Sequence, residues 1–167
     1  SAASDVYKRQ PACIKNMFNK IASRYDFNNN VISFGLHKII KKKAIKELVI
    51  KNNMRVLDEC CGTGDIAADL RKRNKYLDIT GIDFSENMIE IARKKHPDIT
   101  FLEGNCTHLP FLNNSFDIIT MSFGLRNIED YKTAIKESFR VLEDGGQFLH
   151  LDFGKKNIFS KMFDYIA

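Results

Sequence analysis

The residues best suited to chemistry lie in Val56-Leu57-Asp58-Glu59-Cys60-Cys61-Gly62-Thr63-Gly64-Asp65, where an apolar run enters a glycine-rich turn. Glycines at such a turn let backbone approach a ligand with no Cβ in the way. Asp83 follows 21 residues after Gly62, at the end of a second apolar run. A carboxylate there can accept hydrogen bonds from both hydroxyls of a ribose. The turn alone leaves the ligand open. Gly62-Thr63-Gly64-Asp65-Ile66-Ala67 also satisfies the G-x-G-x-x-A pattern of dinucleotide sites, and an ordinary tight turn needs no ligand at all. Two features favour a cationic, phosphate-free ligand. Asp58 precedes the turn, where a carboxylate suits an ammonium group and repels a pyrophosphate. Glu103-Gly104-Asn105-Cys106 supplies an Asn side chain and a backbone N–H for an adenine ring. The set suits S-adenosyl-L-methionine: ribose, adenine and a methionine tail.

These groups need a scaffold, and the pattern predicts one. Strands are expected at residues 55–60, 78–83, 99–103, 116–122 and 147–153. Helices are expected between them at 65–73, 85–95 (capped by Ser85 and ended before Pro97) and 129–142. The last should bury Tyr131, Ile135, Phe139 and Leu142 and break at Gly145-Gly146. The near-continuous apolar run 116–122 fits a buried parallel strand. Regular alternation of strand and helix predicts an α/β, Rossmann-like doubly wound sheet with helices on both faces. Before it, residues 14–24 and 37–51 have helical spacing around an Asn-rich loop at 25–35.

Composition narrows the class. The 167 residues suffice for one ordinary domain, and 44% hydrophobic with 28% charged residues excludes a disordered chain. No apolar run approaches the ~20 residues of a membrane helix. Cys13, Cys60, Cys61 and Cys106 make no Cys-x-x-Cys pair and have no zinc spacing with His37, His96, His108 or His150. No metal is expected, and reduced thiols point to the cytoplasm. The net charge of +5 is uneven: residues 1–55 carry 12 basic and 3 acidic side chains, residues 56–167 carry 14 and 18. Nucleic acid would need a broad basic face, so none is expected as a partner. The lysines read first as a solvated helix face.

Both ends carry a message of their own. Asp5-Val6-Tyr7-Lys8-Arg9-Gln10 back-translates to GAT-GTG-TAT-AAG-AGA-CAG, the transposase end used in sequencing libraries. Residues 1–10 are therefore expected to be a translated adapter. Tyr165-Ile166-Ala167 falls inside a helical pattern, so a C-terminally truncated fragment is expected. Residues 11–54 form the expected helical cover and 55–167 the cofactor domain.

VLDECCGTGD, GIDFSENM, GNCTHLPF, SFDIITMSFGLRNIED and RVLEDGG occur in this order. Together they resemble the ubiquinone/menaquinone biosynthesis C-methyltransferase family across residues 14–167. Ser122-Phe123-Gly124-Leu125-Arg126-Asn127 is the most specific mark, and the segment from Tyr25 to His37 is a second. Asn28, Ile40, Glu143-Asp144 and Asp152 depart from the family pattern, and none lies in the glycine turn. Cys60-Cys61 and Gly104-Asn105 lean toward the menaquinone branch.

The resemblance implies a class I SAM-dependent methyltransferase fold, with its last two strands missing here. It implies cofactor contacts from Thr63, Asp83, Asn105, Cys106 and Ser122, with Gly62 and Gly64 shaping the turn. The implied reaction moves a methyl group to a ring carbon of a prenylated quinol: demethylmenaquinol, or alternatively the 2-methoxy-6-polyprenyl-benzoquinol of ubiquinone synthesis or another small acceptor. Arg126 and Asn127 are the expected catalytic groups, one favouring a phenolate and one orienting a hydroxyl. His37 and Tyr25 are further catalytic candidates. The lipid substrate gives Lys38, Lys41, Lys42, Lys43 and Lys46 a second use, peripheral contact with an anionic membrane face.

Overall fold

The computed structural model describes residues 15–17, 19–20 and 36–152. Its elements, in chain order, are α1 (Leu36–Lys46), β1 (Arg55–Glu59), α2 (Asp65–Arg73), β2 (Asp78–Asp83), α3 (Glu86–Lys95), β3 (Thr100–Glu103), β4 (Phe116–Ser122), a 3-10 turn (Leu125–Asn127), α4 (Tyr131–Val141) and β5 (Leu142–Leu151). Residues 15–17 and 19–20 are also helical. The strands form one five-stranded sheet in the order β3-β2-β1-β4-β5, with every pair parallel. This is the doubly wound arrangement, and its order reverses between β1 and β4. A crevice opens there at the carboxyl ends of the strands.

Two apolar cores cover the two faces of the sheet. One joins Ile45 and Leu48 to Val56, Ile66, Leu70, Ile79, Ile89 and Ile118. The other joins Leu57, Ile82, Leu109, Phe116 and Ile119 to Ala134 and Val141. Two cores sharing one sheet hold the strand ends, and hence the crevice, in fixed register.

Local chemistry sets the boundaries. The Ser85 side chain accepts from Met88 N–H and caps α3, as its position predicts. The expected helix at 37–51 stops at Lys46, because the Arg73 guanidinium caps the carbonyls of Ile45 and Leu48. The next residues are tied to β5: Val49 N–H donates to Gln147 Oε1 at 2.8 Å, and Gln147 Nε2 returns a bond to Val49 O at 2.8 Å. The last helix also differs from expectation. Ala134, Ser138 and Val141 are its buried face, while Tyr131 and Phe139 are exposed. Small residues let α4 sit close to the sheet, where the Ser138 hydroxyl donates to Glu59 Oε2 at 2.8 Å. Gly145-Gly146 does not break α4. Ser115 N–H takes the Val141 carbonyl at 2.7 Å, and Leu142 already pairs with Phe116 in β5. The glycines lie instead where the β4–β5 register shifts.

Candidate cofactor site

A cavity of about 230 Å³ occupies the crevice. Its lining comes from the ends of four strands: Cys60 and Gly62 after β1, Asp83 and Phe84 after β2, Gly104 to Thr107 after β3, and Ser122 to Gly124 after β4. Met88 of α3 and the segment Asn127 to Asp130 complete it. Residues far apart in sequence meet because every parallel strand ends on the same edge.

The glycine turn is held by the acid it was expected to serve. Gly62 N–H donates to Asp83 Oδ2 at 2.9 Å, and Ser85 N–H donates to Oδ1 at 2.9 Å. The carboxylate is thereby fixed at the cavity edge, with acceptor capacity left for a ligand. Burial pushes the Asp83 carboxyl up, and the backbone N–H groups of Ser85, Gly62 and Phe84 pull it back. Gly62 and Gly64 have φ of 54° and 85°, in the left-handed region that glycine tolerates. Gly64 also opens α2.

Of the predicted cofactor residues, Gly62, Asp83, Asn105, Cys106 and Ser122 line the cavity. Thr63 is buried in the turn and Gly64 lies behind it; neither lines the cavity. Asn105 Oδ1 accepts from Thr107 N–H at 3.0 Å, which fixes the side chain at the cavity wall. Asn127 lines the cavity, and its amide donates to Phe123 O at 3.5 Å. Arg126 is exposed on the 3-10 turn and does not line the cavity. His37 lies in α1, and Tyr25 falls outside the described residues.

Asp58, read as a partner for an ammonium group, does not line the cavity. It is only 1% exposed and accepts from the Thr120 hydroxyl at 2.7 Å. Strand alternation aims it at the face covered by α1 and α2. Burial pushes its carboxyl up to about 7, against the Thr120 bond and the charge of Lys41. Lys41 itself turns inward, its side chain 15% exposed and 3.8 Å from Asp65. It therefore leaves the solvated lysine face to Lys38, Lys42, Lys43 and Lys46, which are exposed.

Sequence reasoning missed Cys60, Phe84, Met88, Phe123, Ile128, Glu129 and Asp130 as wall residues. One signal was available, since each of the first four closely follows a strand end or opens a helix there. It also missed what pins the β3–β4 loop. The Arg140 guanidinium donates to Leu109 O at 3.1 Å and Phe111 O at 2.8 Å, while Glu137 Oε2 accepts from Leu109 N–H at 2.9 Å. Pairing with Arg140 lowers the Glu137 carboxyl to about 2.

The lining, by its charge, favours one class of ligand. It includes Asp83, Glu129 and Asp130 but no Lys, Arg or His among the described residues. A pyrophosphate would face three carboxylates with no side-chain cation; a sulfonium and an ammonium would meet complementary charge. The residues present fit S-adenosylmethionine.

The parallel order, the glycine turn and the buried acid ending β2 define a class I, Rossmann-like methyltransferase fold. Solved structures agree. A SAM-dependent methyltransferase from Thermotoga maritima superposes with a TM-score of 0.74 at 26% identity, covering 90% of this chain and 67% of that one. The YcgJ protein of Bacillus subtilis superposes with a TM-score of 0.65 at 27% identity, covering 78% and 56%. The chain belongs to the ubiE/COQ5 methyltransferase family, whose model matches residues 5–167. A demethylmenaquinone methyltransferase of Staphylococcus aureus strain MRSA252 is 42% identical over 143 residues, 83% of this chain. The chain spans 59% of that relative's length.

Proposed function

We propose that this chain is the cofactor-binding part of a C-methyltransferase that methylates the ring of demethylmenaquinol, using S-adenosyl-L-methionine. The observation that carries the reading is the cavity itself, where Asp83 meets Ser122, Phe123, Gly124 and Asn127 at one strand edge and the described lining holds no Lys, Arg or His. The likeness to demethylmenaquinone methyltransferases supports the ring acceptor.

When bound, the cofactor supplies an electrophilic methyl on a sulfonium. The protein's work is to hold and to orient. Asp83 accepts from the ribose hydroxyls, and Gly62 lets the turn approach the ligand. The Cys106 backbone and the Asn105 side chain face the adenine end. Asn127 orients the acceptor's hydroxyl at the β4 end, where positioning of the reacting carbon can supply much of the acceleration. Loss of the phenolic proton pushes electron density onto that carbon, and Arg126, exposed on the 3-10 turn, would favour the resulting phenolate by charge only by turning toward the acceptor. His37 and Tyr25 belong to the segment proposed to cover the acceptor. Residues near that segment's start already touch the strand edge. Lys15 pairs with Glu103, and Asn19 accepts from the Ser85 hydroxyl at 2.6 Å.

No helix among the described residues is long and apolar enough to cross a membrane. The exposed lysines of α1 stand beside Ile39 and Val49, which are 64% and 62% exposed. This mixed face suits peripheral contact with anionic lipid, where a prenylated acceptor resides.

Transfer of a labelled methyl group to short-chain demethylmenaquinol, with and without anionic vesicles, tests both statements. We expect methylated quinol, a rate that rises with anionic lipid, and at least a tenfold loss in Asn127→Ala. Cofactor binding without transfer to any quinol would reject the acceptor. A rate indifferent to lipid would reject the membrane contact.

A further inference from the structure

Two thiols meet in the wall of the cavity. Cys60 Sγ and Cys106 Sγ lie 3.7 Å apart, although 46 residues separate them in sequence. Both line the cavity. Cys60 follows β1 with a φ of 53°, so its side chain leaves the strand at an angle that few non-glycine residues adopt. The turn after β4 then confines it. A Cβ placed on Gly124 would stand 2.4 Å from Cys60 Cβ and 2.6 Å from its Sγ. Cys60 is thus pressed between Gly124 and Cys106. Cys61 faces away, its Sγ 3.0 Å from a Cβ placed on Gly81, and does not line the cavity. The hydrogen bond with Cys106, then burial, push the Cys60 thiol up, so thiolate-dependent exchange at this pair is slow and quickens as pH rises.

We propose that Cys60 and Cys106 form a dithiol modification site, oxidised to an intrachain disulfide by a low-molecular-weight disulfide, and that this bond and the cofactor compete for the cavity. The competition rests on the cavity being the cofactor site. Closing the gap from 3.7 Å to the ~2.05 Å of an S–S bond requires the two turns that carry the thiols to approach each other. Cys60, the more open thiol, attacks the small disulfide as a thiolate and releases one thiol. The Cys106 thiolate then attacks the Cys60 sulfur and releases the second. Two protein S–H bonds and one small-molecule S–S bond are lost. One protein S–S bond and two small-molecule S–H bonds are formed. The new bond draws the β1 turn toward the β3 turn and narrows the wall on which adenine would lie.

The test treats the reduced chain with oxidised glutathione, then alkylates it, maps its peptides and titrates it with S-adenosylhomocysteine. We expect a Cys60–Cys106 cross-linked peptide and at least tenfold weaker ligand binding, restored by dithiothreitol. Saturating S-adenosylhomocysteine should slow formation of the bond at least tenfold. Cys60→Ser, which removes the attacking thiol, should bind the ligand to the same extent before and after oxidant, and Cys60→Ala serves if the serine variant melts early. The proposal is overturned if the 60–106 peptide does not form, if it forms with unchanged binding, or if ligand gives no protection. Failure of the reduced chain to bind the ligand overturns the cavity assignment, and the competition with it; the peptide map, read without ligand, still judges the bond.

Discussion

Asp83→Ala is expected to weaken S-adenosylhomocysteine binding by about 100-fold or more, the largest effect of any single change in the cavity. The carboxylate has two duties. It accepts from Gly62 and Ser85 backbone N–H groups, and so fixes the turn between β1 and α2. It also lines the cavity, where it is proposed to accept from two ribose hydroxyls. Hydrogen bonds to a charged group contribute roughly 1.5–3 kcal/mol each, so losing two costs at least about 3 kcal/mol. Asp83→Asn separates the duties. Its amide oxygen can still accept one backbone N–H, but the NH₂ group can only donate. It should keep a cooperative melt while losing most of the affinity. Calorimetric titration of both variants checks this. Binding within threefold of the parent in either would remove Asp83 from the cofactor's contacts.

The second large effect concerns Glu59. Its side chain is fully buried beneath the cavity, with Oε2 accepting from Ser138 and Oε1 lacking a partner among the described residues. Burial is the main cause that pushes its carboxyl from 4.5 to about 8, with Asp58 and Glu137 adding to it. The folded state therefore holds a proton that the unfolded chain releases above about pH 4.5. This contribution to stability is whole below that pH and is lost as pH rises through about 8. At ~1.4 kcal/mol per unit of separation, the loss is on the order of several kcal/mol. Glu59→Gln keeps the shape of the protonated acid and cannot ionise. It should melt close to the parent at pH 5 and well above it at pH 9. A smaller alkaline decline should persist in the variant, because Asp58, raised to about 7 by burial, acts with the same sign. Parallel melting curves across this range would show that Glu59 does not carry a proton in the fold.

Much of this was legible before any coordinates, for definite reasons. The strands Asp78–Asp83 and Phe116–Ser122 stand where apolar runs and flanking polar residues set them. Asp83 was legible as a wall residue of the cavity because parallel strands deliver their last residue to a shared edge. The errors also have causes. Tyr131, Ile135 and Phe139 form an apolar stripe, yet Ala134 and Ser138 pack on the sheet, because close helix approach rewards small side chains and a buried glutamate needs the serine hydroxyl. Asp58 was read as a partner for an ammonium group from its place before the turn, but alternation on β1 turns it under α1 and α2. The Cys60–Cys106 contact and the Val49–Gln147 tether join residues 46 and 98 positions apart, and no local pattern encodes such pairs. Asn127 reached the cavity as expected, whereas its neighbour Arg126 points elsewhere because the 3-10 turn separates successive side chains by a third of a turn.

The acidic cavity between β1 and β4, whose described lining holds no Lys, Arg or His, is expected to take an adenosyl amino acid and not a dinucleotide. Calorimetric titration of this chain with S-adenosylhomocysteine, beside NADH as competitor and control, tests it most directly. The account predicts one-to-one binding of the first ligand and no heat from the second. Binding of NADH in preference, or displacement of S-adenosylhomocysteine by NADH, would contradict it.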